Sequence, residues 1–241
     1  MTSLWRICFS AAVALLTLSV AAAAAEVGGS VELVSPYAGN VHRHKDDSGV
    51  VVWLEPLDGA PVLPADGAHA RMIQKNKTFT PHVLAVTVGT IVDFPNYDPI
   101  FHNAFSNYNG QIFDIGLYPP GTTRSIAFRR EGVVRVFCNI HPSMSAVIVV
   151  LKTPYFAVTQ KDGAFRIAGV PLGGYRMHLF HERATDRAME ACARTISVSG
   201  DVQTPRMSVS ESGYLELPHK NKYGKDYPPE ADSGSYVGTK P

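Results

Sequence analysis

Val133-Val134-Arg135-Val136-Phe137-Cys138-Asn139-Ile140-His141-Pro142-Ser143-Met144 is the stretch whose reading decides the fold. Its first half alternates. Period two puts Val134, Val136 and Cys138 on one face of a strand, so the cysteine points inward from the strand's end. A second apolar run begins at Ser145. The residues between the runs form a short loop joining two strands, where a rigid scaffold fixes side chains. That loop offers a thiolate, an imidazole and a thioether. All three are soft or borderline ligands, and together they suit copper.

A trigonal His₂Cys arrangement with a weak axial Met needs one more imidazole. His102, in Phe101-His102-Asn103, is the best upstream candidate, because it follows a strand at 91–94 and an Asn-Tyr-Asp-Pro turn. The Asn103 side-chain amide is expected to tie the His102 loop to the Cys138 loop. Taken singly, an inward cysteine or methionine is usually core, and a lone histidine is usually a satisfied loop residue. An alternative reading pairs Cys138 with Cys192 in a disulfide.

Around this stretch the 241-residue chain reads as all-β. Apolar residues make up 45% and charged residues 18%, a balance that excludes disorder throughout. With 20 glycines and 17 prolines, turns dominate over long helices. Short apolar runs predict strands at 30–34, 50–55, 82–88, 91–94, 123–128, 133–139, 145–152, 156–159, 164–167, 175–180, 194–198 and 206–209. Only 183–193 reads as a helix. Three cysteines are too few for a disulfide scaffold.

The ends are of a different kind. Arg6, the uncharged run at 7–25 and its small-x-small ending read as a secretory signal peptide over 1–25, with processing before Glu26. Export makes the mature protein periplasmic or secreted. Residues 26–69 are acidic on balance and 70–152 basic on balance, with a mature chain near neutrality. Nothing at that level points to nucleic acid or to a membrane beyond the signal peptide. Over 211–241 apolar residues thin out, and the composition predicts a disordered tail.

The motif residues resemble the cupredoxins, the small blue copper proteins, in their amicyanin-like form. The likeness rests on Cys138-x-x-His141-x-x-Met144 with Pro142 after the histidine, and on His102-Asn103 upstream. It also covers the lead-in Phe79-Thr80-Pro81-His82 and the run 86–94, so that it spans 70–152. The resemblance implies a Greek-key β-sandwich, one type 1 copper held by His102, Cys138, His141 and Met144, and one-electron transfer without catalysis. The stretch between His102 and the loop is short for the family, so one strand is expected to give way to a loop through Leu117.

A second likeness lies at 156–177. Asp162-Gly163-x-Phe165 followed by Pro171-x-Gly173-x-Tyr175 resembles the carboxypeptidase regulatory-like domain, a small transthyretin-like β-sandwich without catalytic groups. That places this sandwich at 153–210. Its first two strands would have to come from 26–69, so that the cupredoxin interrupts it. The alternative is two domains in series. Ala146-Val147-Ile148-Val149-Val150-Leu151 is apolar on both faces, as expected of a strand covered on both sides.

The expected function is an exported electron carrier, not an enzyme, with a transient redox protein partner docking at His141. The rivals are periplasmic copper binding and delivery, or a structural β-protein. Scattered methionines disfavour delivery, and an oxidase would need His-x-His pairs where only His42/His44 has that form. His178 and His181 read as structural, and no spacing makes His82 a ligand.

Overall fold

The computed structural model describes residues 24–37, 40–43, 45–59, 67–107, 110–214 and 219–227. Most of the expected signal peptide lies outside them, as do His44 and residues 228–241. Among the described residues no helix is long and apolar enough to cross a membrane.

The chain is nearly all β. The long strand Ala24–Tyr37 pairs antiparallel with Ala164–Pro171, setting Val27 against Ile167 and Gly29 against Phe165. Its other neighbours, Val202–Gln203 and Met207–Ser210, run parallel to it. A second sheet orders Phe156–Val158, Val51–Pro56, Gly173–Phe180 and Arg194–Val198. Alternation turns Val27, Val31 and Leu33 from the first sheet toward Leu54, Tyr175 and Met177 from the second, and all are buried in one core. Strands from both ends of the sequence therefore complete one sandwich.

Between those ends the chain builds another pair of sheets. One orders Phe113–Asp114, Phe105–Ser106, Gly132–Phe137, Ser145–Leu151 and Val83–Thr87. The other orders Thr123–Ala127, Ile91–Pro95 and His69–Arg71. Their core includes Phe94, Phe128, Val134, Val136, Cys138 and Met144. The stretch between His102 and Gly132 carries three strands, Phe105–Ser106, Phe113–Asp114 and Thr123–Ala127, and Leu117 lies in a loop between the last two.

Ser145–Leu151 is buried along nearly its whole length. Ala146, Ile148 and Val150 face the core around Cys138, while Val147, Val149 and Leu151 pack with Val51, Val83 and Phe180. Burying one such aliphatic side chain is worth about 1.5–3 kcal/mol. The helix covers Asp186–Cys192, shorter than the sequence pattern, because Thr185 caps it by accepting a hydrogen bond from the Ala188 N–H. The strand Ala24–Tyr37 begins just ahead of the processing point expected before Glu26.

Candidate metal centre

The hairpin Gly132–Phe137 to Ser145–Leu151 delivers three of the candidate residues. Its register sets Phe137 opposite Ser145, so residues 138–144 must close the turn. The Cys138 N–H donates to the Met144 carbonyl and the Met144 N–H to the His141 carbonyl, both at 3.1 Å. These two bonds wind the loop tightly enough to aim Cys138, His141 and Met144 at one region. His102 arrives from another element. Its backbone exchanges two hydrogen bonds with Tyr118, at 3.2 and 2.9 Å. The Tyr118 hydroxyl donates to the Phe94 carbonyl at 2.9 Å, anchoring this pair to the core.

The sulfur of Cys138 lies 3.6 Å from Nδ1 of His141 and 3.9 Å from Nδ1 of His102. All three donor atoms fall within 4.8 Å of one another. Donors that share one ion, each about 2.0–2.3 Å from it, sit at such separations. His102, Cys138 and Met144 are fully buried, and His141 is half-buried. Met144 shares the core cluster of Cys138.

Electrostatics prepares the donors. Nε2 of His102 donates to Oδ2 of Asp98 at 2.7 Å, which leaves the lone pair on Nδ1, facing Cys138. Asp98 also accepts from the N–H groups of Asn76 (2.6 Å) and Lys77 (2.9 Å). Burial pushes the Asp98 carboxyl up, but the Lys77, His102 and Asn76 hydrogen bonds outweigh it and hold it below its ordinary value. At Cys138 burial dominates and raises the thiol, while the backbone N–H groups of Ile140, Asn103 and His141 favour the thiolate. A ligating cation would add to those N–H groups.

Two expectations change here. The Asn103 side-chain amide does not reach the Cys138 loop: it donates to Oδ1 of Asp114 at 2.7 Å, and the link to Cys138 runs through the Asn103 backbone N–H. Part of the supposedly disordered tail is laid against the ligand loop. The His219 ring stacks on Phe137 at 4.0 Å and donates from Nε2 to the Pro142 carbonyl at 2.8 Å. The Tyr227 hydroxyl donates to the Cys138 carbonyl at 2.8 Å. Composition could not show this, because the segment is held by hydrogen bonds rather than by apolar burial.

The remaining candidates are elsewhere. Cys138 and Cys192 are both free, and Cys192 belongs to the other sandwich's core, donating to the Ser208 carbonyl. His178 stacks on Trp53, His181 pairs with Glu211, and His82 pairs with Glu182. His42 lies in the strand Asn40–Arg43, opposite Ser35.

No family model matches the chain. It is 38% identical over 60 residues to a methylamine utilization protein, MauL, of Methylorubrum extorquens, an overlap covering 24% of this chain and 53% of that protein. The chain thus spans about half the length of that curated relative. Among solved structures, a purple cupredoxin from Nitrosopumilus maritimus is 26% identical over 35% of this chain and 99% of its own, with a TM-score of 0.31. A copper-containing nitrite reductase from Thermus scotoductus is 27% identical over 40% of this chain and 25% of its own, with a TM-score of 0.33. A reduced amicyanin variant is 22% identical over 42% of this chain and 98% of its own, with a TM-score of 0.33.

Proposed function

We propose that the protein is an exported type 1 copper protein that carries single electrons to and from a redox partner. In this reading one copper is held by His102, Cys138, His141 and Met144. The observation that carries it is the convergence of Cys138 Sγ with the two Nδ1 atoms, at 3.6 and 3.9 Å, with His102 and Cys138 buried and His141 half-buried. When bound, copper supplies a one-electron couple. The chain supplies the rest. Asp98 fixes the His102 tautomer and ring, backbone N–H groups stabilise charge on the sulfur, and the hydrogen-bonded loop resists rearrangement when that charge changes. Low rearrangement is what a carrier needs. Asp98, the carboxylate beside the cluster, is engaged by three donors and is not placed as a free general base.

We assign the cupredoxin-like unit to residues 70–152, inserted into a carboxypeptidase regulatory-like sandwich formed by 26–69 and 153–210. The pairing of Ala24–Tyr37 with Ala164–Pro171 supports that division. Docking is assigned to the His141 end. Phe101, Leu117 and Ile140, each next to a ligand or to Tyr118, are 48%, 54% and 39% exposed, and a small apolar surface suits a brief contact. The relative's name makes proteins of methylamine utilization the first partners to test.

The test is the visible spectrum of the mature protein titrated with Cu(II). An intense blue thiolate-to-copper band saturating at one copper per chain is expected, and Cys138→Ser should abolish it. A band that survives this substitution would end the assignment.

A further inference from the structure

We infer that residues 219–227 form a positioning strap for the copper-ligand loop, with His219 and Tyr227 holding the backbone of the segment that carries Cys138 and His141. The inference rests on the copper reading above.

Within itself, the loop is closed by the two bonds between Cys138, His141 and Met144. Their donors and acceptors leave the carbonyls of Cys138 and Pro142 uncommitted. The strap takes both: Tyr227 donates to the first and His219 to the second, each at 2.8 Å. A third bond runs from the Lys222 N–H to Oδ1 of Asn139 at 3.0 Å. His141 is thereby flanked by anchored residues on both sides, at 139 and 142. Stacking of the His219 ring on Phe137, next to Cys138, sets the distance between strap and hairpin.

The strap also reaches the other ligand segment. Nζ of Lys222 donates to Oδ2 of Asp114 at 2.8 Å, and Oδ1 of Asp114 accepts from Asn103 Nδ2 at 2.7 Å. Asn103 follows His102 directly and turns its own N–H toward the Cys138 sulfur. One short segment therefore joins both pieces of chain that bear ligands. It is internally folded, with the Asn221 N–H donating to the Lys225 carbonyl and Asn221 Oδ1 accepting from the N–H groups of Tyr223 and Lys225. Such a segment stays ordered without an apolar core of its own.

The chemical consequence follows from charge. With copper bound, one-electron reduction would lower the positive charge at the metal and so weaken its hold on imidazole. A loop pinned at 138, 139 and 142 keeps His141 in place in both oxidation states, whereas a loosened loop lets it relax in the reduced state. Loss of the strap bonds should therefore favour Cu(I) electronically and also let it escape sooner.

The experiment compares full-length copper-loaded protein with His219→Phe, Tyr227→Phe and the double variant. Tyr227→Phe deletes only the hydroxyl, whereas His219→Phe keeps an aromatic ring to stack on Phe137, a larger one, and removes both ring nitrogens, including the Nδ1 that lies 3.3 Å from the Tyr227 hydroxyl. The readouts are the rate of Cu(I) loss to excess bathocuproine disulfonate, the EPR spectrum of the Cu(II) form and the reduction potential. One neutral hydrogen bond is worth about fivefold in an equilibrium. Each single variant should release Cu(I) about fivefold faster and the double variant more than tenfold faster, with the blue band kept, the EPR signal altered and the potential raised. A wild-type protein without the blue band would overturn the copper reading and the strap with it. A blue wild type whose double variant matches it in release, EPR and potential would overturn the strap alone.

Discussion

His102 donates its Nε2 hydrogen to Asp98 across 2.7 Å, and both side chains are almost wholly removed from water. The carboxylate decides which ring nitrogen remains for a metal. Asp98→Ala leaves the buried ring free to choose its tautomer and removes the acceptor of the Asn76 and Lys77 N–H groups. Losing an outer partner of a ligating histidine typically costs 10–100-fold in metal affinity. We expect a loss of about that size in a competition titration with a copper chelator. Unchanged affinity would mean that Asp98 serves only the neighbouring turn.

Met144 tests the axial role. Its thioether is fully buried, so Met144→Leu conserves volume and apolar character. A weak axial ligand can be dispensed with. The variant should keep copper and its blue colour, while cyclic voltammetry records a raised potential. A variant unable to hold copper would mean that Met144 binds strongly or shapes the loop.

Acid should destabilise the fold through Glu211. This carboxylate accepts from the Ser35 hydroxyl, from His181 Nε2 at 2.9 Å and from Arg183 Nε at 2.8 Å. Burial pushes its pKa up, but the Ser35, His181 and Arg183 hydrogen bonds prevail and lower it from 4.5 to about 2. A pKa depressed by folding contributes stability that is complete above the unfolded value and lost as pH falls through the folded one. Wild-type thermal midpoints should therefore drop between pH 4.5 and about 2, and Glu211→Gln should start lower and vary less there. Parallel profiles for the two proteins would remove Glu211 from this role.

Gly163 turns the chain at a positive φ of 77°, and a β-carbon there would lie 1.9 Å from the Val31 carbonyl oxygen. That carbonyl belongs to the long strand Ala24–Tyr37, whose Val31 N–H donates to the Gly163 carbonyl at 2.9 Å. Gly163→Ala combines backbone strain with a backbone clash. A loss of at least about 2 kcal/mol is expected, read by urea unfolding. A neutral result would show that the turn can move away from the strand.

The candidate residues of the loop were legible as a group because their chemistry is compressed into one turn between two alternating strands. Period two alone aimed Cys138 inward. His102 was legible from its place after a strand and a turn. Asp98 was not, since an aspartate in Asn96-Tyr97-Asp98-Pro99 reads as a turn former. Only the tertiary approach of Asn76 and Lys77 turns it into a buried carboxylate. The all-β class was plain, but Phe105–Ser106 and Phe113–Asp114 are too short to establish a period. The segment 219–227 escaped notice for another reason. Hydrogen bonds to distant carbonyls leave no mark on composition, and its few apolar residues read as a chain without structure.

The strand Ser145–Leu151 limits how far the molecule is modular. It starts one residue after Met144 and is interior to two cores at once. Cut out by itself, the unit that carries the Cys138 cluster would bare Val147, Val149 and Leu151 as a continuous oily stripe, the kind of surface that drives self-association. The other sandwich would lose the cover over Val51 and Phe180. Neither half is a portable part. Free energy gained where a metal binds is gained by both halves together, so occupancy of the centre should raise a single melting transition of the whole chain.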